Sequence, residues 1–239
     1  RVLMRAGYDV TRVDRHPYTT FQPLLYQGAT GGLNPGDITY SLRRYVSTRG
    51  EGTGAFRRAT VTGIDTEAKQ VVVSRGAPLP YDKLVIATGA TPFVPPLEGR
   101  DLQGVFTLSS ISDAVAVKEF ISRRKPRGAV VIGGGLIGLE AAEALAQQGI
   151  AVTIIERLPT VLPALFDADM ALLLQKYLRS QGIALQTNTV ATRFEAGPDG
   201  AVAGVNTRSR SMISQAPAVL TRGPQPWVPL VPKKCVLPT

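Results

Sequence analysis

The sequence predicts an α/β protein made of two doubly wound units. Three observations carry that expectation. Strand-like apolar runs alternate with helical spacing along most of the chain, a glycine-rich turn joins one such run to one such helix, and the N-terminal stretch repeats later in the chain. At 239 residues the chain can make two small domains or one large one, and 44% hydrophobic with 19% charged residues excludes wholesale disorder.

The elements follow in order. Residues 1–6 read as the remnant of a helix and 8–14 as a short strand. From 15 to 50 the chain is polar and punctuated by Gly and Pro, with one helix expected near 36–47. Residues 57–88 alternate apolar positions (Val61, Ile64, Val71, Val73) and then run Leu84-Val85-Ile86-Ala87 without a break. This predicts strands in a layered sheet, the last buried on both faces. The Pro-rich link 92–99 places a domain boundary near 105. The spacing of Ile111, Val115, Val117, Phe120 and Ile121 predicts a helix over 111–124, followed by a buried strand over 129–132. A helix over 136–148 ends at Gly149, a strand occupies 151–155, and an amphipathic helix over 167–180 ends at Gly182. Strands are expected near 183–187 and 189–194. Residues 207–239 hold six prolines, one tryptophan and no acid, with neither period, and are expected to form an irregular tail.

Composition removes several function classes. One cysteine excludes a disulfide framework within the chain, and one histidine leaves no His pair, so no metal site is expected. The net charge is +9, but five of the cations lie in the tail, and the rest of the chain carries 22 basic and 18 acidic side chains. The cluster Arg123, Arg124, Lys125 and Arg127 reads as a solvated helix end, where cations suit the dipole. No nucleic-acid partner is expected. No run of eighteen apolar residues predicts a spanning helix, and no charged-then-apolar leader argues for secretion.

The informative motif is Gly133-Gly134-Gly135-Leu136-Ile137-Gly138, a G-x-G-x-x-G between a buried strand and a helix, with Glu156 ending the next strand. Gly133 makes the turn, Gly135 lets a pyrophosphate approach the backbone, and Gly138 lets helix and strand pack. The helix N-terminus offers N–H groups and a positive dipole to phosphates. Glu156 can accept both ribose hydroxyls and repel a 2′-phosphate, which favours NAD over NADP. Shifting the chain by 142 residues lays 2–17 over 144–159. Leu3, Gly7, Val10, Thr11, Arg15 and Pro17 then meet Leu145, Gly149, Val152, Thr153, Arg157 and Pro159, and Asp14 meets Glu156. Two Rossmann-like dinucleotide-binding domains are therefore expected. The glycines of the first copy would fall before residue 1, so the chain is expected to be a fragment that holds its first cofactor poorly.

Two such units joined through Ala87-Thr88-Gly89 resemble the FAD- and NAD-dependent pyridine nucleotide reductase superfamily. The stretch LPYDKLVIATGATPFVPPLEG (79–99) is similar to its crossing from FAD to NAD domain. YTTFQPLLYQGATGGLNPGDITYSLR (18–43) looks like the type II NADH dehydrogenases. GGGLIGLEAAEAL (133–145) looks like the NADH oxidase, coenzyme A-disulfide reductase and rubredoxin or ferredoxin reductase branches. The resemblance covers about 1–200. It implies a partial FAD-binding domain over 1–105, truncated at both ends, a nearly complete NAD-binding domain over 106–206, and the tail 207–239.

The resemblance also implies an enzyme with FAD and NAD as cofactors, in which NADH gives hydride to the flavin and electrons pass to an acceptor. Gly133, Gly135, Gly138 and Glu156 would hold NAD. Asp14 and Arg15 would serve the FAD ribose, and Thr88 and Gly89 match the turn that closes on FAD. Glu140 matches a helix carboxylate beside the nicotinamide and is the catalytic candidate; His16 reads as a surface or adenine-side residue. A quinone is the acceptor implied by 18–43, and a small redox protein such as ferredoxin or rubredoxin is the alternative. The disulfide branches need a redox cysteine between Tyr18 and Gly36, where there is none, and Cys235 reads as an incidental thiol. The expected location is cytoplasmic, with peripheral contact at the cytoplasmic face of the membrane, and oligomerisation, left open for a full-length form. Two other readings remain: an inactive remnant that binds NAD alone, and a basic nucleic-acid binder resting on the tail and 123–127.

Overall fold

The computed structural model describes residues 2–46, 52–89 and 92–209, together with the backbone of 227–231. In chain order the elements are α1 (Val2–Arg5), β1 (Val10–Asp14), β2 (Tyr18–Thr20), α2 (Leu25–Thr30), β3 (Thr39–Ser41), α3 (Leu42–Val46), β4 (Gly54–Arg58), β5 (Val61–Asp65), β6 (Gln70–Val73) and β7 (Leu79–Pro80). There follow β8 (Phe106–Thr107), α4 (Ile111–Arg124), β9 (Gly128–Ile132), α5 (Leu136–Ala146), β10 (Ala151–Ile155), α6 (Ala168–Ser180), β11 (Ala184–Gln186), β12 (Thr189–Ala196), β13 (Val202–Ser209) and β14 (Trp227–Val231). The chain divides into two compact units. The first takes the chain up to Phe21 and from Gly36 to Gly89; the second takes Gln22–Pro35 and the described residues beyond Gly89.

The division thus falls at Gly89, ahead of the position near 105 expected from the Pro-rich link. The link itself packs with the second unit: Glu98 bridges to Arg193, and the Phe194 N–H donates to the Glu98 carbonyl (2.8 Å).

In the first unit β1 and β4 pair in parallel, from Val10 opposite Gly54 to Asp14 opposite Arg58. A second pair, β2 and β3, is antiparallel, and β5-β6-β7 form an antiparallel sheet. Ala59, Val71 and Val73 are buried together, with Val13, Leu79 and Tyr81 against them. The single helix expected over 36–47 is instead a strand, β3, that turns into the short α3. Thr39 and Tyr40 favour extended backbone, and β2 supplies the ladder that satisfies it. The Leu84–Ala87 run is no strand among the described residues, and Val85 and Ile86 are 78% and 68% exposed. An apolar run specifies burial only where strands flank it, and none of the described strands pairs here.

The second unit is built on an all-parallel five-stranded sheet in the order β11-β10-β9-β14-β8, with a separate antiparallel pair, β12 and β13. The irregular tail expected for 207–239 is corrected at both described points. Residues 207–209 finish β13, and 227–231 form β14, which fills the slot between β9 and β8. The prolines counted against a sheet leave Pro229 as the one residue of that strand unable to donate; four apolar neighbours in sequence still make a strand. Cys235 lies outside the described residues. Helix α4 opens on a capping box, with the Ser110 hydroxyl accepting from the Asp113 N–H (3.2 Å) and the Asp113 carboxylate accepting from the Ser110 N–H (3.1 Å). Helix α2, which no apolar periodicity announces, packs on α4 and α5, and Gln148 donates to the Thr30 carbonyl from the end of α5.

The internal repeat is visible hydrogen bond for hydrogen bond. Gly7 and Gly149 both take positive φ (82° and 78°), and each donates to the residue three back, Met4 and Ala146. Tyr8 donates to Leu3 as Ile150 donates to Leu145. Each copy then enters a parallel strand, β1 or β10, and ends in an acid. Among the described residues no helix is long and apolar enough to cross a membrane.

Candidate dinucleotide site

The second unit builds its site where β9 gives way to α5. Strand β9 is buried along nearly its whole length, so its end is fixed against β10 on one side and β14 on the other. Gly133 follows with φ +111°, a conformation open to glycine at little cost, and its N–H donates to the Ile155 carbonyl (2.8 Å). Gly134 is buried. Gly135 is the N-cap of α5, exposed, with no side-chain cap, and a Cβ added there would meet nothing within 4 Å. The start of α5 therefore faces open space and has no side chain competing for its first N–H groups, which is what an approaching pyrophosphate requires. Gly138 is buried one turn in, where helix and sheet close on each other.

Glu156 stands just past the end of β10 and is only 9% exposed. Its Oε2 accepts from the Gly134 N–H at 2.6 Å and its Oε1 from the Leu158 N–H at 2.7 Å. The carboxylate thus ties the glycine-rich turn to the loop after β10 through two charge-assisted hydrogen bonds. Asp14 repeats half of this arrangement in the first unit: its Oδ1 accepts from the His16 N–H (3.0 Å), two residues on, as Glu156 does from Leu158. Its Oδ2 is held by Arg12 (3.2 Å). Arg15 is exposed, and its carbonyl accepts from the Arg58 guanidinium (3.4 Å). His16 is exposed and lies against the Tyr18 ring, 5.6 Å between centroids.

Glu140 sits on α5, half-buried. Desolvation, with the Glu143 carboxylate adding to it, raises its pKa above the ordinary glutamate value of 4.5. Thr88 and Gly89 are exposed at the end of the first unit, Gly89 with φ +76° and nothing close to it. The structure therefore places Gly133, Gly135 and Gly138 on one turn and helix start, with Glu156 bonded to Gly134 within that turn, while Glu140 lies further along the same helix. Asp14, Arg15, Thr88 and Gly89 belong to the first unit.

Sequence reasoning missed the group behind the turn. Val161 is fully buried, and a Cβ on Gly134 would lie 2.8 Å from its Cγ1. The Leu162 N–H donates to the Gly134 carbonyl (3.1 Å), and the Gln175 side chain of α6 accepts from the Val161 N–H (3.2 Å). Only the glutamine on the apolar face of α6 hinted at it. The basic cluster at 123–127 is partly committed within the second unit: Arg124 binds Asp199 (3.0 Å) and Gln103 (2.9 Å), and Arg123 binds Glu119 (3.3 Å).

A family model described as pyridine nucleotide-disulphide oxidoreductase matches residues 1–233. An NADH oxidase of Methanocaldococcus jannaschii is 48% identical over 103 residues, 43% of this chain and 23% of its own length. A CoA-dependent NAD(P)H sulfur oxidoreductase of Pyrococcus abyssi is 31% identical over 193 residues, 80% of this chain and 43% of its own. The chain spans less than half the length of both curated relatives. The solved NAD-dependent persulfide reductase of A. fulgidus superposes with a TM-score of 0.74 at 30% identity, covering 93% of this chain and 40% of that one. NDH2 of Plasmodium falciparum, solved with NADH, shares the fold, with a TM-score of 0.77 at 20% identity over 94% of this chain and 50% of that one.

Proposed function

Because the chain belongs to the pyridine nucleotide-disulphide oxidoreductase family, we propose that its second unit binds NADH and its first contributes to an FAD site, in a flavin-dependent NADH oxidoreductase. One observation carries this reading: the space over Gly135 is open at an uncapped helix start, and the Glu156 carboxylate is fixed beneath the same turn. When bound, the two cofactors supply hydride transfer, and the chain's tasks are to bind and orient them. Gly133, Gly135, Gly138 and the first turn of α5 would hold the pyrophosphate, and Glu156 the ribose. The raised pKa of Glu140 suits a group that holds a proton beside a nicotinamide more readily than an ordinary glutamate does. Asp14 would hold the FAD ribose with Arg15 beside it, and Thr88 and Gly89 would close on the flavin.

The acceptor we favour is a quinone, from the resemblance of 18–43 to type II NADH dehydrogenases; a small redox protein is the alternative. The sulfur chemistry for which two of these relatives are named is disfavoured here, because no cysteine stands between Tyr18 and Gly36. The test is the visible spectrum of the purified chain with added FAD, followed by NADH. Bound flavin that bleaches supports the proposal. NADH binding without flavin reduces it to a nucleotide-binding module, and binding of neither refutes it.

A further inference from the structure

We propose that Gln175 is a positioning residue for the dinucleotide site, acting through Val161 on the middle glycine of the phosphate turn; the proposal rests on the NADH-binding reading above. Gln175 lies on the core-facing side of α6 with Ala171 and Leu178, and is 3% exposed. A glutamine is unfavourable there unless its polar atoms are engaged. Its Oε1 accepts from the buried N–H of Val161 at 3.2 Å.

Val161 belongs to the loop between β10 and α6, which is pinned at three places. The Leu158 N–H is held by Glu156, the Val161 N–H by Gln175, and the Leu162 N–H by the Gly134 carbonyl. Just past the last pin the backbone is forced into an uncommon shape. Leu162 has φ +48°, a left-handed conformation that a leucine rarely adopts, and its carbonyl accepts from the N–H groups of Leu165 (2.9 Å) and Phe166 (3.0 Å). Such strain persists where the surroundings over-determine it, and it gathers at ligand sites. The outcome is that the Val161 side chain is the floor on which Gly134 rests, with a Cβ at Gly134 reaching within 2.8 Å of Val161 Cγ1 and 3.3 Å of Glu156 Oε2.

Without the Gln175 acceptor the buried Val161 N–H is unpaired, and the loop must turn to find a partner. That turn carries the floor with it, so Gly134 and the Glu156 carboxylate lose their register. The ligand feels this at the phosphates and ribose, although Gln175 itself touches neither.

The test uses the whole chain and two substitutions. Gln175→Met keeps the length and removes the acceptor; Gln175→Glu keeps an acceptor oxygen in either protonation state. NADH binding is followed by nucleotide fluorescence well below each variant's unfolding temperature, and amide deuterium exchange is followed over 130–136 and 158–163. Gln175→Met is expected to weaken NADH about five- to tenfold, the loss of one buried hydrogen bond expressed as affinity, and to speed exchange in both segments. Gln175→Glu is expected to stay within about twofold of the parent, less than the loss of one such bond. Unchanged NADH affinity in folded Gln175→Met overturns the proposal, as does equal weakening in both variants, which would assign the effect to packing. If Gln175→Met does not fold, Val161→Ala replaces it, keeping the hydrogen bond and removing only the methyls under Gly134. Weaker NADH binding with faster exchange over 130–136 is then expected, and parental affinity overturns the idea. Absence of NADH binding by the parent chain refutes the function itself and this proposal with it, whereas parental binding unchanged in the variants refutes the positioning role alone.

Discussion

Gly134 and Gly135 are adjacent, and the structure predicts opposite consequences for adding one methyl to each. At Gly134 the new Cβ lies 2.8 Å from Val161 Cγ1 and 3.3 Å from both Val161 Cβ and Glu156 Oε2. Val161 is β-branched and fully buried, so it has no room to swing aside. Overpacking of this kind costs about 1–3 kcal/mol. If the turn shifts enough to lose the Gly134 N–H bond to the Glu156 carboxylate, roughly 1.5–3 kcal/mol more is at stake. With about 2–4 °C per kcal/mol for a domain of this size, Gly134→Ala should lower the melting temperature of the second unit by roughly 2–12 °C from the steric term alone. At Gly135 the Cβ meets nothing within 4 Å. Gly135→Ala should cost no more than about 1 kcal/mol, the ordinary preference for Gly over Ala at a helix N-cap. The methyl would instead stand where the pyrophosphate must pass and weaken NADH at least about tenfold, or ~1.4 kcal/mol. Thermal unfolding by circular dichroism and NADH titration, run on both variants, separate the two effects. A Gly134→Ala protein as stable as the parent, or a Gly135→Ala protein that binds NADH as the parent does, would refute the packing argument or the site respectively.

Other predictions are simpler. Glu140 has a raised folded pKa, so its contribution to stability is present below pH 4.5 and is lost as pH rises through the folded value; Glu140→Gln should match the parent in the acid range and melt higher at neutral pH, read by melting curves across pH. Glu156→Ala leaves the Gly134 and Leu158 N–H groups without their acceptor and should cost at least about 1.5 kcal/mol in denaturant titration, with NADH binding lost. Asp113→Ala removes the carboxylate that accepts from the N–H groups of Ser109 and Ser110, and should cost about 1–2 kcal/mol, again by denaturant titration. Arg124→Ala breaks an exposed pair with Asp199 and should change stability by less than about 1 kcal/mol.

The part of the fold that sequence made legible is the part where local signals agree. Val130, Val131 and Ile132 specify a buried strand, the glycines specify the turn into α5, and Glu156 closes the next strand; each choice supports the others. The repeat was legible because Gly7 and Gly149 serve the same backbone need and not merely a shared letter. The Leu84–Ala87 run misled because apolar continuity says nothing of whether a neighbouring strand is there to pair. Trp227–Val231 was hidden by Pro229 and the prolines on either side of it in sequence, since a central slot in a sheet can accept one missing donor when two other strands offer it a place. Helix α2 was hidden because Tyr26 and Gln27 interrupt its apolar spacing and the helices that hold it lie more than eighty positions away. The roles of Val161 and Gln175 escaped for a related reason, since apart from a glutamine on an apolar helix face they come from a Gly134 that only the folded turn brings near.

The chain passes between its two units three times, after Phe21, after Pro35 and after Gly89, so neither unit is an unbroken length of sequence. On a ribosome, α2 emerges complete long before α4 and α5, the helices that cover it, have been made. It must remain unsequestered until they appear, and the unit that will own it is still being synthesised. For anyone cutting the molecule, the seam at Gly89 is a trap: a second unit begun there leaves α2 on the discarded piece and opens a wet gap where α4 and α5 expect a helix. A separable version would have to carry residues 22–35 along, grafted by a new linker.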